Sequence, residues 1–372
     1  MDKSVKIGKI FGIEIDLHFT WFFIFALLVW GLSIGFFPEY YPGLSNTEYW
    51  ILGGISAFFL FISVLLHELS HSLVAKHGRL GVNKITLFFF GGMAETAGEA
   101  STPENEFKMA IAGPLMSFLL AGIFWAIWSF VNIVYVEAIA FYLTILNLIL
   151  GLFNLAPGYP LDGGRMLRAI LWGYYNDIKK ATKIASYGGK LVAGVMIIFG
   201  FSGFFGVTLE IFGVEFGGLW FAILGFFLYF IAGMSYQQLL LKESLEKMKV
   251  KDAMNKSFKT VDANKTLAEL FEDYFLRYNK EGIIVSNKKR PAGIVTIEDL
   301  KKVPRKQWNK KKIKNIYNDF EYTAKENDNA YNLLNHMSKN RISVVPVVRN
   351  RKIIGMVDIS SLVRLVKLKQ LA

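Results

Sequence analysis

Cysteine is absent from the chain, so disulfide bonds and thiolate metal sites are excluded, and a bound metal ion would have nitrogen and oxygen ligands. Charged side chains are scarce before residue 242, where 13 basic and 15 acidic residues give a net charge of −2. The apolar run that begins near residue 19 does not resemble a cleavable signal peptide, because Glu14 and Asp16 precede it. These absences restrict the chemistry of a metal site but leave the compartment open.

Apolar residues dominate the composition. Hydrophobic residues make up 53% of the chain and aromatic residues 15%, and the mean hydropathy is +0.35. These values place the chain in the membrane class. Residues 242–372 differ, since they hold 29 Lys and Arg against 15 Asp and Glu, a net charge of +14. We therefore predict a membrane domain over residues 1–241 and a soluble domain over residues 242–372.

The hydrophobic pattern predicts six membrane-spanning helices, because a bilayer core of about 30 Å requires about 20 apolar residues. The predicted spans cover residues 19–37, 50–75, 107–134, 137–156, 185–206 and 217–241. Lys and Arg occur in the connections on alternate sides only, so the positive-inside rule places both termini in the cytoplasm. The expected location is the cell membrane, which the chain crosses several times.

Two segments beside the predicted helices have the patterns of strands. Residues 10–18 alternate apolar and polar side chains, which predicts a short strand at the membrane surface. Residues 85–95 are too few to span a bilayer and too apolar for an ordinary loop, so we predict a short membrane-associated β segment there. Its exposed edge could pair with a substrate strand, and a purely structural hairpin is the alternative.

The second span contains His67, Glu68 and His71 within an otherwise apolar run. Residues four apart share one face of a helix, so the two imidazoles can reach a single ion. In this H-E-x-x-H spacing the histidines bind zinc and the glutamate acts as a general base. An unpaired ionisable group at membrane depth costs about 3 kcal/mol or more, so the motif indicates function rather than chance occurrence.

The fourth span ends near Asn154, and Asp162 follows after a segment that contains two prolines. In the predicted topology both residues lie level with the histidines of the second span. Zinc bound by two histidines takes a third protein ligand, and Asp162 is the carboxylate best placed to supply it. Asn154 could donate a hydrogen bond to the oxyanion of a tetrahedral intermediate. The alternative role for Asp162 is that of a helix N-cap.

These motifs resemble those of the site-2 protease family of intramembrane zinc metalloproteases, over residues 1 to about 240. Residues 67–71 match the family's H-E-x-x-H motif, and residues 161–164 resemble its L-D-G motif, with Asn154 eight positions before the aspartate. Residues 90–92 and 112–114 also resemble landmarks of the family. Ser117 departs from it, because many relatives carry Asn there, so no role is assigned to Ser117.

The resemblance implies a zinc endopeptidase with one Zn²⁺ per chain and three protein ligands, which are His67, His71 and Asp162. It also implies that Glu68 is the catalytic base and that Asn154 stabilises the oxyanion. The substrate implied is a membrane protein with a single transmembrane segment, cut by regulated intramembrane proteolysis.

A repeat with an offset of 62 residues follows the last span. The matching positions include Gly293, Val295 and Ile297 in the first half and Gly355, Val357 and Ile359 in the second. Each half is predicted to contain a helix, two strands and a second helix. The halves, at about residues 248–304 and 312–370, resemble a tandem pair of cystathionine-β-synthase (CBS) domains.

The CBS resemblance implies an adenine nucleotide between the repeats, with Thr296 and Asp299 at the positions that contact phosphate and ribose. The second repeat has Asp358 and Ser361 there, so at most one competent cleft is expected. A scaffold or dimerisation role without a ligand is the alternative. The lysine run at residues 310–314 is expected to be a solvated surface, with attraction to anionic lipid headgroups as the second interpretation.

The predicted fold is a polytopic α-helical membrane protein, with six transmembrane helices and a short membrane-associated β segment, followed by a cytoplasmic α/β tandem CBS module. The expected partners are the membrane-protein substrate, the lipid bilayer and a second copy of the chain bound through the CBS domains, and no nucleic acid. Nucleotide binding is expected to modulate proteolysis. A CBS-regulated ion transporter or channel is the alternative function.

Overall fold

The structure is a computed structural model that describes residues 4–371 apart from residues 90, 97, 99, 203–208, 212–213, 217, 278–280, 288–289, 341 and 351. Phe90, the first residue of one family landmark, lies outside the described residues. The chain divides into two compact units, residues 1–236 and residues 237–372.

Long helices form most of the first unit. They are α1 (Phe19–Gly31), α2 (Phe37–Tyr40), α3 (Asn46–His77), α4 (Pro103–Phe130), α5 (Val134–Asn154), α6 (Asp162–Tyr175), α7 (Ile178–Ser202) and α8 (Leu219–Glu246). A π-helical turn at Leu32–Phe36 joins α1 to α2. Within the described residues, the helix at Phe19–Tyr40 and helices α3, α4, α5, α7 and α8 are long and apolar enough to cross a membrane. This confirms the six predicted spans.

Four spans begin earlier than predicted, and in two of them polar caps extend the helix beyond its apolar run. At the start of α3, the Ser45 hydroxyl accepts a hydrogen bond from the backbone N–H of Glu48, and the Glu48 carboxylate accepts one from the backbone N–H of Ser45. At the start of α4, the Thr102 hydroxyl accepts a hydrogen bond from the backbone N–H of Asn105. Hydropathy alone does not register these polar turns.

A four-stranded sheet packs against α3. Its strands are β1 (Ser4–Ile10), β2 (Ile13–His18), β3 (Val82–Phe88) and β4 (Gly91–Thr96), in the order β1-β2-β3-β4. Strands β2 and β3 are parallel, and the other neighbours are antiparallel. Ile13 and Ile85 of the sheet are fully buried in a cluster that includes Leu69 of α3. The sheet is therefore attached to the helix that carries the H-E-x-x-H motif.

The strand predictions were partly wrong. The single strand expected at residues 10–18 is a hairpin, because the chain turns at Phe11 and Gly12, whose φ angles are 49° and 82°. The β segment expected at residues 85–95 is the hairpin of β3 and β4. A third hairpin, β5 (Leu209–Ile211) with β6 (Val214–Phe216), lies between α7 and α8.

The second unit contains two similar halves after the short helix α9 (Val250–Ala253). The first half comprises β7 (Thr260–Asp262), α10 (Leu267–Leu270), β8 (Gly282–Asn287), β9 (Arg290–Thr296) and α11 (Ile297–Lys301). The second half comprises β10 (Ala324–Lys325), α12 (Ala330–Asn340), β11 (Val344–Arg349), β12 (Lys352–Asp358) and α13 (Ile359–Leu371). Each half forms a three-stranded sheet over its own buried core.

The predicted order of elements in each half missed the first strand. Strands β7 and β10 pair in parallel with β8 and β11, respectively. They contain only three and two residues, which is too short to produce an alternating pattern in the sequence. The predicted repeat itself is visible in the cores, where Val295 and Val357, 62 positions apart, are both fully buried.

Candidate metal centre

Three polar side chains from α3 and α6 meet in the first unit. His67 Nε2 lies 3.2 Å from Asp162 Oδ2, and His71 Nε2 lies 3.0 Å from the same oxygen. The two Nε2 atoms are 3.2 Å apart. All three residues are buried, with at most 8% of their surface exposed. The structure thus brings together the three residues that the sequence predicts as metal ligands.

The spacing of these three atoms fits a tetrahedral metal ion. Ligand bonds of about 2.0–2.1 Å give a tetrahedron with edges of about 3.3–3.4 Å, close to the observed separations of 3.0–3.2 Å. Two imidazole nitrogens and one carboxylate oxygen suit zinc and leave a fourth position for water or substrate. Among the described residues, this is the single group of three or more His, Asp and Glu side chains with ligand atoms within 4.8 Å of one another.

Asp162 is the first residue of α6, a helix that the sequence did not predict. Two glycines let this helix begin against the loop that follows α5. A Cβ atom at Gly163 would lie 2.1 Å from the carbonyl oxygen of Leu155, and one at Gly164 would lie 2.1 Å from the carbonyl carbon of Gly158. Only glycine permits an approach this close. The N-cap position falls one residue before Asp162, whose carboxylate contacts the imidazoles instead.

One face of α4 orients the two histidines. Met109, Gly113 and Ser117 are spaced four residues apart, so they share this face. The Met109 carbonyl oxygen lies 2.6 Å from His71 Nδ1. A carbonyl can only accept, so Nδ1 of His71 carries the hydrogen and Nε2 keeps its lone pair for a metal ion. The backbone of α4 therefore sets the tautomer of this histidine.

Ser117 also belongs to the site, although the sequence analysis assigned it no role. Its Oγ atom lies 2.8 Å from His67 Nδ1, and the residue is fully buried. Ser117 follows Gly113 by one helical turn, so the sequence indicates that the two residues share a face of the helix. The sequence did not show that this face of α4 meets α3. Ser117 thus orients the imidazole ring of His67 through its contact with Nδ1, as the Met109 carbonyl orients the ring of His71.

Replacing Ser117 with Ala should weaken zinc binding by about 10–100-fold, because groups that orient a metal-bound histidine contribute about this much to affinity. Zinc transfer to a chelator of known affinity would measure the loss. Ser56→Ala is the matched control, since Ser56 is a buried serine of α3 whose hydroxyl has no partner among the described residues. Unchanged affinity in Ser117→Ala would show that its hydrogen bond does not support the ligand.

Gly113 leaves the space in which the histidine nitrogens meet. A Cβ atom at this position would lie 2.1 Å from His71 Nε2 and 2.5 Å from His67 Nε2. Real Cβ contacts are essentially never this short, so any larger residue would displace the rings. The glycine of the Ala-Gly-Pro sequence at residues 112–114 therefore has a structural reason, which is room for the two imidazole rings.

Glu68 lies against β4. A Cβ atom at Gly92 would lie 2.4 Å from Glu68 Cγ and 3.1 Å from its carboxyl carbon, so the missing side chain at Gly92 makes room for this glutamate. The group beside Gly92 is thus the carboxylate side chain of the H-E-x-x-H motif. The Glu68 side chain therefore extends from the helix that carries the histidines to β4, an edge strand of the sheet.

Asn154 is the last residue of α5, at the start of the loop that leads to Asp162. Its side-chain Nδ2 donates a hydrogen bond of 2.9 Å to the carbonyl oxygen of Leu150 in its own helix. Asn154 is not part of the group formed by the two histidines and Asp162. Its amide carries a second N–H, which is available to another acceptor.

Models of two known protein families match this chain. The family model described as Peptidase family M50 matches residues 55–141 and 130–199, and the CBS domain model matches residues 250–306 and 313–368. The zinc metalloprotease MJ0392 of Methanocaldococcus jannaschii is 30% identical over 372 residues, which is 100% of this chain and 99% of that protein. The chain belongs to peptidase family M50.

A second curated relative of this M50 protease agrees with the assignment. The candidate zinc metalloprotease sll0528 of Synechocystis sp. is 31% identical over 370 residues, covering 98% of this chain and 96% of that protein. Among solved structures, a site-2 protease from Methanocaldococcus jannaschii is 35% identical, with a TM-score of 0.42, and covers 62% of this chain and 94% of that chain.

The M50 protease is thus a zinc metalloprotease with a C-terminal CBS pair, which confirms the family predicted from the sequence. Membership of a metalloprotease family favours the protease over the transporter or channel that the sequence left as the alternative. The orientation of the termini and the roles of individual site residues remain predictions.

A buried ion pair joins the two helices that surround the site of the M50 protease. Arg168 Nε of α6 donates a hydrogen bond of 2.7 Å to Glu106 Oε1 of α4, and the residues are 6% and 1% exposed. Helix α6 begins with Asp162, and α4 carries Met109 and Ser117. The pair therefore connects the helix that begins with Asp162 to the helix that contacts both imidazoles.

Removing one partner of this pair should be more harmful than removing both. Arg168→Met should destabilise the protease by about 3–5 kcal/mol, because it leaves the Glu106 carboxylate buried without its cation. The double variant Arg168→Met with Glu106→Leu should recover part of the loss. Thermal unfolding in detergent would measure both, and a double variant less stable than the single one would contradict this account.

The nucleotide residues predicted in the CBS pair line one of two related clefts. Thr296 and Asp299 border a cavity of about 240 Å³, and the corresponding cleft of the other repeat, lined by Asp358, measures about 90 Å³. Thr296 Oγ1 donates to Asp299 Oδ2 at 2.7 Å, within a capping box at the start of α11. Burial opposes ionisation of Asp299, but bonds from Thr296 and Lys302 outweigh it and hold the pKa of this carboxyl below its usual range.

Proposed function

We propose that the protein is an intramembrane zinc endopeptidase, which hydrolyses peptide bonds in or near the transmembrane segments of membrane proteins. One observation carries this proposal, namely that two imidazoles and one carboxylate lie at tetrahedral spacing, with both imidazoles on an apolar helix long enough to span a bilayer. Hydrolysis of a peptide bond within a bilayer requires a polar site that is shielded from lipid. The burial of all three groups supports such a site.

The proposed organisation is a protease domain at residues 1–241 and cytoplasmic tandem CBS domains at residues 242–372. The division of the chain within α8 supports this organisation. Both termini would be cytoplasmic, as the distribution of Lys and Arg indicates. A homodimer through the CBS domains is part of the same proposal.

In the proposed reaction, His67, His71 and Asp162 hold one Zn²⁺. When bound, this ion would supply a Lewis acid that polarises the scissile carbonyl and acidifies water. Glu68 accepts the proton of the attacking water and returns it to the leaving amine. The second N–H of the Asn154 amide donates to the oxyanion of the tetrahedral intermediate. Glu68 directly follows His67 in the chain, and this position supports its role as a proton acceptor next to the two histidines.

The substrate must present an unpaired backbone at the scissile bond, since the carbonyls of an intact helix are already hydrogen-bonded. Strand β4 is the edge of the sheet, and among the described strands it pairs only with β3. We propose that an unwound segment of substrate adds to this edge and so passes next to Glu68, which contacts Gly92 of β4. A hairpin with only a structural role is the alternative.

Proteomics of membrane fractions would test the function in cells. Cells that carry Glu68→Gln in place of the wild-type protein should accumulate uncut membrane proteins with a single transmembrane segment. The same proteins should appear as shorter fragments when the wild-type protease is expressed. If the two membrane proteomes are identical while both proteins are present at equal amounts, the proposed activity is wrong.

Modulation by an adenine nucleotide is a separate proposal that rests on the larger CBS cleft. Thr296→Ala and Asp299→Ala should abolish the increase in thermal stability that AMP or ATP gives the full-length protein. Asp358→Asn in the smaller cleft is the matched control and should leave that increase unchanged. If the nucleotide stabilises all three variants equally, it does not bind in the cleft that contains Thr296. If it does not stabilise the wild-type protein, the CBS pair is better explained as a scaffold.

A further inference from the structure

The C-terminal unit exposes a basic segment, residues 301–314, that neither the protease site nor the CBS clefts explain. This segment contains eight Lys and Arg residues and no Asp or Glu, so it supplies more than half of the net charge of +14 over residues 242–372. The exposed cations are Lys301, Lys302, Arg305, Lys306, Lys310, Lys311, Lys312 and Lys314. Like charges at this density repel one another, and such segments often bind a partner of opposite charge.

The basic segment is held firmly against the first CBS repeat. The carbonyl oxygen of Lys311 accepts a hydrogen bond of 3.0 Å from the backbone N–H of Leu267, and the N–H of Ile313 donates one of 3.0 Å to the carbonyl oxygen of Lys265. The Ile313 side chain is fully buried in the core of this repeat. The lysines therefore project from a hydrogen-bonded backbone, which fixes their positions along the chain.

Most of these cations have no acidic partner. Lys302 Nζ lies 3.0 Å from Asp299 Oδ1, and the Arg305 guanidinium lies 5.8 Å from the centre of the Trp308 ring. In the part of the chain that the structure describes, no carboxylate lies within ion-pair distance of Lys306 or of the lysines at positions 310, 311, 312 and 314. Their mutual repulsion is therefore not relieved inside the unit, and an external anionic surface would relieve it.

Chain connectivity keeps this unit close to a bilayer. The apolar run of α8 extends to Leu241, and Leu245 of the same helix is fully buried in the core of the C-terminal unit, as is Met248 just after it. Four helical residues span about 6 Å, so no flexible linker separates the last apolar turn of α8 from this core. Connectivity alone therefore keeps the unit within a short distance of the leaflet from which α8 emerges.

We propose that the basic segment binds the anionic phospholipid headgroups of that leaflet and fixes the CBS module on the membrane surface. Lysines close to an anionic surface are attracted strongly, and the attraction falls off within a Debye length of about 10 Å. The short connection from α8 favours lipid over a soluble polyanion, because lipid is always within reach. The proposal depends on membrane anchoring and not on proteolysis, so it can fail without affecting the proposed function.

The absence of cysteine provides a clean background for site-specific labelling. Asn309→Cys places one thiol on the exposed turn of the basic segment, where it would carry an environment-sensitive fluorophore. The full-length protein would be placed in nanodiscs of phosphatidylcholine, with or without phosphatidylglycerol, that also contain lipid with a headgroup-attached quencher. We expect stronger quenching in the anionic discs and loss of the difference at high salt.

Two further variants separate specific contact from general charge. Replacing the lysines at 310, 311, 312 and 314 with Gln should reduce quenching in anionic discs to the level of the neutral discs. The matched control replaces four exposed lysines elsewhere in the unit, Lys256, Lys325, Lys339 and Lys352, and should keep the difference. A label at the exposed position Asn327, introduced as Asn327→Cys, reports whether the whole unit is equally close to lipid.

Several outcomes would overturn the proposal. Equal quenching at position 309 in neutral and anionic discs would do so, as would full quenching in the variant without the four lysines. Quenching at position 327 as strong as at 309 would show that proximity alone is responsible. If an RNA or DNA oligonucleotide changes the signal of the label at 309 and anionic lipid does not, the surface binds nucleic acid instead.

Discussion

The Glu68→Gln variant is expected to bind one equivalent of zinc and to cleave substrate at least about 10³-fold more slowly than the wild type, since proton transfer by a positioned side chain contributes about 10²–10⁴-fold. Gln keeps the size of Glu but cannot accept the proton of the attacking water. The side chain lies against Gly92 and is not one of the three ligands, so zinc should stay bound. Cleavage of a reconstituted membrane substrate and metal analysis of the same sample would measure both effects.

The control for Glu68→Gln is Glu104→Gln, which makes the same chemical change on the exposed first turn of α4, where Glu104 pairs with Lys108. This variant should cleave at the wild-type rate. A Glu68→Gln enzyme of normal activity would remove Glu68 from the mechanism. Loss of zinc from Glu68→Gln would indicate instead that this side chain supports the metal site, and the loss of activity would then say nothing about proton transfer.

The ligand group could be predicted because each part has a signal in the sequence. His67 and His71 are four residues apart on a helix, and ionisable groups are rare enough in apolar runs to mark a site. The topology then placed Asp162 at the same depth, although α6, which begins with this residue, was not predicted. The order of the predicted spans and connections thus predicts how deep each residue lies along the membrane normal.

The groups that orient the ligands could not be predicted, because they depend on which helix faces meet. Met109 acts through its backbone carbonyl, which every residue possesses, so no residue type reveals that role. Ser117 is one of several buried serines in the spans, and only the contact with His67 distinguishes it. The ion pair of Glu106 with Arg168 joins helices that are distant in sequence, and either residue alone reads as an ordinary surface charge.

Helix α4 therefore contributes to the site without supplying a metal ligand. Its Met109 carbonyl fixes the tautomer of one histidine, and Ser117 holds the other. Glu106, at the beginning of the same helix, holds α6 in place. A substitution on the face of α4 that contacts the two imidazoles should consequently weaken zinc binding even where the fold stays intact, whereas a change at Glu68 should not.

Replacing Gly113 with Ala should give this result. The new methyl group would lie 2.1 Å from His71 Nε2 and 2.5 Å from His67 Nε2, so both rings must leave the positions in which they share Asp162. We expect zinc affinity to fall by at least about 100-fold, beyond the usual loss for a change outside the ligand set. Proteolysis should be lost together with zinc, in contrast to Glu68→Gln. Metal content after gel filtration and substrate cleavage would test both expectations.

Gly122→Ala is the matched control for Gly113→Ala, because it makes the same substitution on α4 at a position where a Cβ atom has no neighbour within 4 Å. Its zinc content and activity should equal those of the wild type. A Gly113→Ala protein that retains both would mean that the histidine nitrogens do not converge beside α4. An unfolded Gly113→Ala protein would be recognised by thermal unfolding, and the smaller loss expected for Ser117→Ala would then decide whether α4 controls the metal site, since that variant leaves the packing of the rings unchanged.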